Sequence, residues 1–326
     1  MEKSSVNIHL MKFEQTLTSN QKPSQEGFLH NNRKMNMTLD ELKEYAQTSN
    51  LVQIKDAGNG LHVLKYKRKV FYDGLWNEYL EECRGLIVDD DFNIVSYPFT
   101  KIYNYGVEKQ APKIFKDEMV HAVRKVNGFM VAVTWYKGDL LVSTTGSIDS
   151  DYVKMARELM EPYIDRYRIT CSDNSKYTFM FECVHRNDPH IIPEKEGMYF
   201  LGARLKELGS PIKVTHFGAQ EFGAERVEEM YAPMEYIEIL AKHVKHEGFV
   251  IYGSSGIATK IKSPYYLVKK FVARNPRTDK LMRPDIKNNI DEEYYPLIDA
   301  IQANIEEYTA MDEQTRLKWV AEFLEN

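Results

Sequence analysis

Cysteine is scarce in this chain: three residues in 326, Cys83, Cys171 and Cys183, with no CxxC spacing. An odd, widely spaced set argues against a disulfide framework or a structural zinc site and fits a reducing compartment. No apolar run approaches membrane-spanning length, and the opening MEKSSVNIHLMKFEQ lacks the apolar centre of a signal peptide. These absences predict a cytoplasmic protein with no membrane partner. A global excess of positive charge is missing too. Lys and Arg total 43 against 48 Asp and Glu, giving a net charge of −5. Any nucleic-acid surface must therefore be a local patch. No short-period repeat is visible.

What is present is a soluble globular composition, 43% hydrophobic and 28% charged. The length suggests one large domain with an appendage, or two domains. Residues 1–37 are polar and read as loop. Thr38-Leu39-Asp40-Glu41 has the capping-box pattern and opens a short helix to about Gln47. Leu61–Tyr66 with Val70–Tyr72 reads as a hairpin, and so does Leu86–Val88 with Ile94–Tyr97 around an acidic turn. Met119–Tyr136, Leu140–Thr144, Tyr177–Val184, Met198–Arg204, His246–Tyr252 and Ala258–Ser263 read as strand regions. Asp151–Met160 and Met234–Val244 carry helical spacing.

Charge is unevenly spread towards the C-terminus. From Lys260 to Arg283 there are eight basic residues and one acid, a local charge of +7, whereas residues 285–326 hold eleven acids and three bases. Helical periodicity runs through the acidic stretch. The expected division is 1–268 and a small helical domain at 269–326. Within the basic run, Lys269, Lys270 and Arg274 are candidate polyanion contacts, against the alternative of a solvated linker.

Lys125 sits in HAVRKVNGFMVAV. Taken alone it reads as a surface lysine beside an Asn-Gly turn. Arg84 and Lys101 stand beside sheet segments and individually read as surface charge. Glu182 is embedded in YTFMFECV, where a carboxylate is costly to bury unless a cation meets it; an outward-facing Glu is the alternative. Lys260 and Lys262 share one face of their strand. Two adjacent ammoniums repel unless an anion lies between them, which points to a phosphate. His185 and His190 with Asp188 are too few for a zinc site and read as a solvated loop.

The order of these pieces carries more than any one of them. KVNG (125–128), YTFMFEC (177–183), MYFLGAR (198–204), HEGFVIY (246–252) and ATKIKS (258–263) resemble motifs I, III, the following strand motif, IV and V of the covalent nucleotidyltransferase superfamily. ECRG (82–85), FTKIYNYG (99–106) and STTGS (143–147) resemble the bacteriophage tRNA-repair type of ATP-dependent RNA ligase. The resemblance spans roughly residues 80–268.

It implies an α+β nucleotidyltransferase (adenylation) fold, with antiparallel sheets around an ATP cleft and a small C-terminal helical domain. It also implies an RNA ligase that joins 5′-phosphate and 3′-hydroxyl ends through a lysyl-AMP intermediate and an RNA-adenylate. Lys125 would be the nucleophile. Arg84, Lys101, Gly128, Glu182, Lys260 and Lys262 would bind ATP or phosphate, with Gly128 admitting the nucleotide closely. Glu247, with Glu182 as a second candidate, would hold Mg2+ or Mn2+. Lys260, Lys262 and the metal are expected to disfavour the charged form of Lys125. RNA would be the partner and a monomer the expected state.

Two departures stand out. Motif I carries Asn127 where family members often have Asp or Glu, and the 58-residue tail is shorter than the helical domain of the tRNA-repair type, so nicked tRNA is not a specific expectation. A DNA ligase or capping guanylyltransferase uses the same lysine chemistry, but no OB-fold-sized β domain follows motif V. A non-catalytic RNA-end-binding protein is the alternative outside enzymes.

Overall fold

A computed structural model describes residues 37–213, 217–254, 256, 258–274 and 276–325. The loop expected at the N-terminus lies almost wholly outside them. Helix α1 (Leu39–Thr48) starts as its capping box dictates: Glu41 N–H donates to Thr38 Oγ1 at 3.2 Å, and Thr38 N–H donates to the Glu41 carboxylate at 2.7 Å.

Strands β1 (Val52–Gly58), β2 (Leu61–Tyr66), β3 (Arg84–Asp89) and β4 (Ile94–Ser96) pair antiparallel in chain order as the first sheet. Val70–Tyr72 is not the second arm of a hairpin. It belongs to helix α2 (Arg68–Tyr72), because β2 already has β1 on one edge and β3 on the other. Helix α3 (Glu78–Glu82) follows. Leu42, Val52, Leu64, Val70, Leu80, Leu86 and Val88 form the core of this lobe.

The chain then lays down β5 (Tyr103–Asn104) and β6 (Met119–Arg124) in one sheet and crosses to another. That second sheet takes β7 (Phe129–Tyr136), β8 (Asp139–Ser143), β9 (Tyr177–Val184), β10 (Gly197–Leu205) and β11 (Ile212–Lys213), in the order β11-β10-β9-β7-β8. The chain returns with β12 (Glu229–Pro233), β13 (Gly248–Tyr252) and β14 (Ala258–Lys262), giving β12-β6-β13-β14-β5. All these pairings are antiparallel except the two-residue β5, which runs parallel to β14.

Helices α4 (Asp151–Met160), α5 (Ile164–Asp173) and α6 (Phe217–Phe222) cover the β7–β11 sheet. Val153, Met160, Tyr167 and Phe222 pack there on Val131 and Phe181. Helix α7 (Met234–His243) covers the other sheet, with Ile237 and Ala241 among Val120, Phe249 and Ile251.

Helix α8 (Pro264–Ala273) leaves β14 directly. Ser263 caps it by accepting from Tyr266 N–H at 3.1 Å. Short helix α9 (Thr278–Leu281), then α10 (Tyr295–Ala303), α11 (Ile305–Ala310) and α12 (Glu313–Glu325) close around Val268 and Val272 of α8. Helix α8 thus runs across residue 268, with one face in the C-terminal helical cluster. No helix among the described residues is long and apolar enough to cross a membrane.

Candidate active site

Lys125-Val126-Asn127-Gly128 is the passage between two sheets, not the turn of a hairpin. Arg124 pairs with Phe249 of β13, and Phe129 with Cys183 of β9. Lys125 N–H donates to Gly248 O at 2.8 Å, and Gly128 N–H donates to Glu182 Oε1 at 3.1 Å, so each end is anchored to a different sheet. Val126 is buried against Val184 and Tyr199.

Two glycines are needed for this convergence. A Cβ on Gly128 would lie 2.3 Å from Cys183 O, so its smallness admits the β9 backbone. Gly248 has φ +129°, and its Cβ would meet Ile261 O at 2.0 Å.

Glu247 lies immediately before β13 and is 2% exposed. Its Oε2 accepts from Lys125 Nζ at 3.0 Å and from Asn127 Nδ2 at 2.6 Å, while Oε1 lies 3.2 Å from Lys262 Nζ. Asn127 is a strut: its Oδ1 accepts from Ile192 N–H at 2.9 Å. One side of the amide must accept and the other donate, which a carboxylate there could do only when protonated.

Glu182 faces inward, settling the choice left by its strand: it is buried and close enough to Lys125 to interact electrostatically. Burial raises its pKa, opposed by the Lys125 charge. Burial also raises the Glu247 pKa, but Lys125 and Lys262 outweigh it and hold the carboxyl below its ordinary range.

At Lys125 the neighbouring carboxylates set the direction. Desolvation lowers its pKa, but Glu182 and Glu247 more than offset that and raise it. Within this cluster the depressed lysines are the paired ones. Burial, then the charges of Arg84, Lys101, Lys262 and Lys125, push Lys260 down to about 7; burial lowers Lys262 as well. An ammonium cluster with one member poised near neutrality is a site that gains from an oxyanion.

Arg84, at the start of β3, is half-buried and belongs to this charge cluster; among the described residues its side chain has no ion-pair or hydrogen-bond partner. Lys101 approaches the same cluster but is already engaged. Its Nζ donates to Glu108 at 2.7 Å and lies over the rings of Tyr103 (4.6 Å) and Trp76 (5.0 Å). Glu108 was missed because the interaction joins two loop residues with no periodic signature.

The candidate RNA contacts separate. Lys270 and Arg274 are exposed, Arg274 within 3.8 Å of Glu313. Lys269 is 2% exposed, its ammonium 5.1 Å from the Tyr265 ring, and it does not present a surface charge. Neighbours on a helix point about 100° apart, so Lys269 turns inward with Tyr266 and Val272 while Lys270 turns out. The His185–His190 loop is also less solvated than expected. His185 is buried 3.3 Å from Glu158, and His190 lies 2.8 Å from Asp188. Among the described residues no three His, Cys, Asp or Glu side chains gather as a metal cage.

The comparisons with known proteins agree with this geometry. The family model described as RNA ligase matches residues 82–266, more than half of the chain. An RNA ligase of Rhodothermus phage RM378 is 24% identical, over 74% of this chain and 70% of its own. An archaeal ATP-dependent RNA ligase, form 2, superposes with TM-score 0.53 at 16% identity, covering 86% of this chain and 78% of that one. Form 1 gives 0.51 at 14% identity, covering 89% and 78%. At such identities the structural likeness establishes the fold alone, the mixed helix and antiparallel-sheet architecture of those ligases.

Proposed function

The chain belongs to the RNA ligase family, and from that premise we propose that it is an ATP-dependent ligase that joins RNA 5′-phosphate and 3′-hydroxyl ends, with Lys125 as its nucleophile. The observation that carries the assignment is the placement of Lys125 where two sheets meet, between Glu182 and Glu247 and beside Lys260 and Lys262.

In the first step the unprotonated Lys125 Nζ forms a P–N bond to the α-phosphorus of ATP. The α–β phosphoanhydride breaks and pyrophosphate leaves with the electron pair. In the second, an RNA 5′-phosphate oxygen attacks the same phosphorus and the P–N bond breaks, returning the lysine. In the third, an RNA 3′-hydroxyl attacks the activated 5′-phosphate and AMP leaves. Such transfers depend mainly on positioning and charge neutralisation. Lys260, Lys262 and Arg84 supply positive charge for the phosphates. Lys101 joins them on exchanging Glu108 for a phosphate oxygen.

Lys125 must lose a proton that Glu182 and Glu247 favour. Glu182 and Glu247, with substrate phosphate oxygens, would hold a divalent cation such as Mg2+ or Mn2+. Held there, it would offset the carboxylate charge that favours the protonated form of Lys125. Asn127, donating to the same Glu247 oxygen as Lys125, keeps that carboxylate in place.

The test uses α-labelled ATP, or GTP in parallel, with a divalent metal, followed by denaturation. Acid-labile, alkali-stable label from ATP on the wild type, and none on Lys125→Ala, is expected. Folded protein that takes no label from either nucleotide would overturn the assignment. Labelled protein that seals nicked DNA and not RNA would overturn the substrate.

A further inference from the structure

Helix α8 turns four residues outward. Leu267, Lys270, Phe271 and Arg274 follow the i, i+3, i+4, i+7 spacing of a single helix face, and Leu267 and Phe271 remain 48% and 42% exposed. Two large apolar side chains interleaved with two cations are not a solvated face. Leu267 and Phe271 line a cavity of about 380 Å³ together with Ile286 and Ile290, with Lys280 and Arg283 as its basic residues and Asp285 as its acid. Lys280 and Arg283 have no ion-pair partner among the described residues.

We propose that this groove holds a segment of single-stranded RNA, one base stacked on Phe271 and the adjoining phosphates on Lys280 and Arg283. The inference rests on the RNA ligase reading and gives the substrate strand a path away from the site. Three observations carry it.

The first is charge: the groove is lined by Lys280 and Arg283 against the single acid Asp285, and Lys270 is exposed on the adjoining helix face, so cations outnumber acids where a phosphate backbone would lie. The second is chemistry: an accessible aromatic ring beside unpaired cations is what an unstacked base and its backbone take, and a duplex offers no free base face. The third is distance. Helix α8 starts two residues after Lys262 and carries Phe271 seven residues beyond its first residue, Pro264, roughly 10 Å along the helix axis at ~1.5 Å per residue. That is a length of about three stacked nucleotides at ~3.4 Å each.

The experiment is fluorescence anisotropy with a 5′-phosphorylated single-stranded oligoribonucleotide over a range of salt. Lysyl-AMP formation, which uses no RNA, and light scattering are run alongside. Phe271→Ala should weaken binding about tenfold, and Phe271→Leu, which keeps the apolar bulk and the fold, should also weaken it. The double change Lys280→Ser with Arg283→Ser should reduce the slope of log K against log salt by about 1.4, two phosphate contacts on a single strand.

Unchanged affinity and slope in variants that still form lysyl-AMP would overturn the groove and leave the ligase reading standing. A change in molecular mass without a change in RNA affinity would assign the groove to a second copy of the chain and equally overturn it. Absence of lysyl-AMP in the wild type would instead strike the ligase reading.

Discussion

Asn127 is the residue at which the motif resemblance breaks, and the structure gives the amide a reason. It must accept from Ile192 N–H and donate to Glu247 at the same time. Asn127→Asp keeps the size and loses the donor, leaving two carboxylates in contact. Lysyl-AMP formation should fall roughly 10- to 100-fold, the scale seen when a group orienting a metal-site carboxylate is changed. A protonated Asp regains the donor, so the variant's rate relative to wild type should rise as pH falls. A ratio that is flat with pH would refute the strut.

Lys260 gives a second residue-scale outcome. Its pKa is pushed down to about 7 from 10.5, so between those values the unfolded chain binds more protons than the folded one. Stability from this group therefore rises with pH across that window, and the full penalty is felt below it. Lys260→Met removes the penalty. Thermal unfolding should show the variant gaining more over wild type at about pH 6 than at about pH 10. Equal gains at both would mean that Lys260 carries no such cost. Neither effect was legible from sequence. The strand pattern put Lys260 and Lys262 on one face, but the partners that set the protonation of each, Arg84 and Lys101 among them, arrive from other elements.

At the scale of elements, segments with a strong period were legible almost to the residue. Tyr177–Val184 and Asp151–Met160 are a strand and a helix with the expected bounds, because alternation and helical spacing respectively run through them unbroken. Met119–Tyr136 was less so. Its apolar pattern continues on both sides of Lys125, yet β6 and β7 lie in different sheets, and period alone does not encode which sheet a strand joins.

The joint from β14 to α8 shows what such connections hold. Ser263 is fully buried; its hydroxyl accepts from Tyr266 N–H and donates to His246 O at 2.6 Å, next to Glu247. Ser263→Ala loses both the cap and the tie, and should lower stability by about 1–2 kcal/mol in urea unfolding. Gly248→Ala should do more, since a side chain is strained at φ +129° and would displace either Ile261 or the Glu247 peptide. A melting profile and label yield equal to wild type for Gly248→Ala would contradict the geometry.

Across the whole molecule, the convergence of Lys125, Glu182, Glu247, Lys260 and Lys262 was legible from the order of motifs, while the brace behind it was not. Leu317 of α12 packs with Ile191, Ile192, Tyr266 and Ala273, and Ile192 holds Asn127, which holds Glu247. No sequence period links residues 127, 192 and 317, because their proximity arises only when α8 and α12 fold back over the loop after β9. Helix α12 is thus one packed layer and two hydrogen bonds from the Glu247 carboxylate.

Leu317→Ala should cost about 2–5 kcal/mol in stability by opening a cavity in that layer. It should also slow single-turnover lysyl-AMP formation, although residue 317 touches no reacting group. Leu324→Ala is the control. It truncates the same residue type on the same helix, in the cluster with Val268, Leu297 and Val320 that does not include Ile191 or Ile192. It should lose stability without losing rate at a temperature where both variants are folded. If both rates fall together, the effect is general loosening; if neither falls, Asn127 holds Glu247 without help from the C-terminal helices. The expected split, slow for Leu317→Ala and normal for Leu324→Ala, would make the helical tail part of how Glu247 is held in register with Lys125.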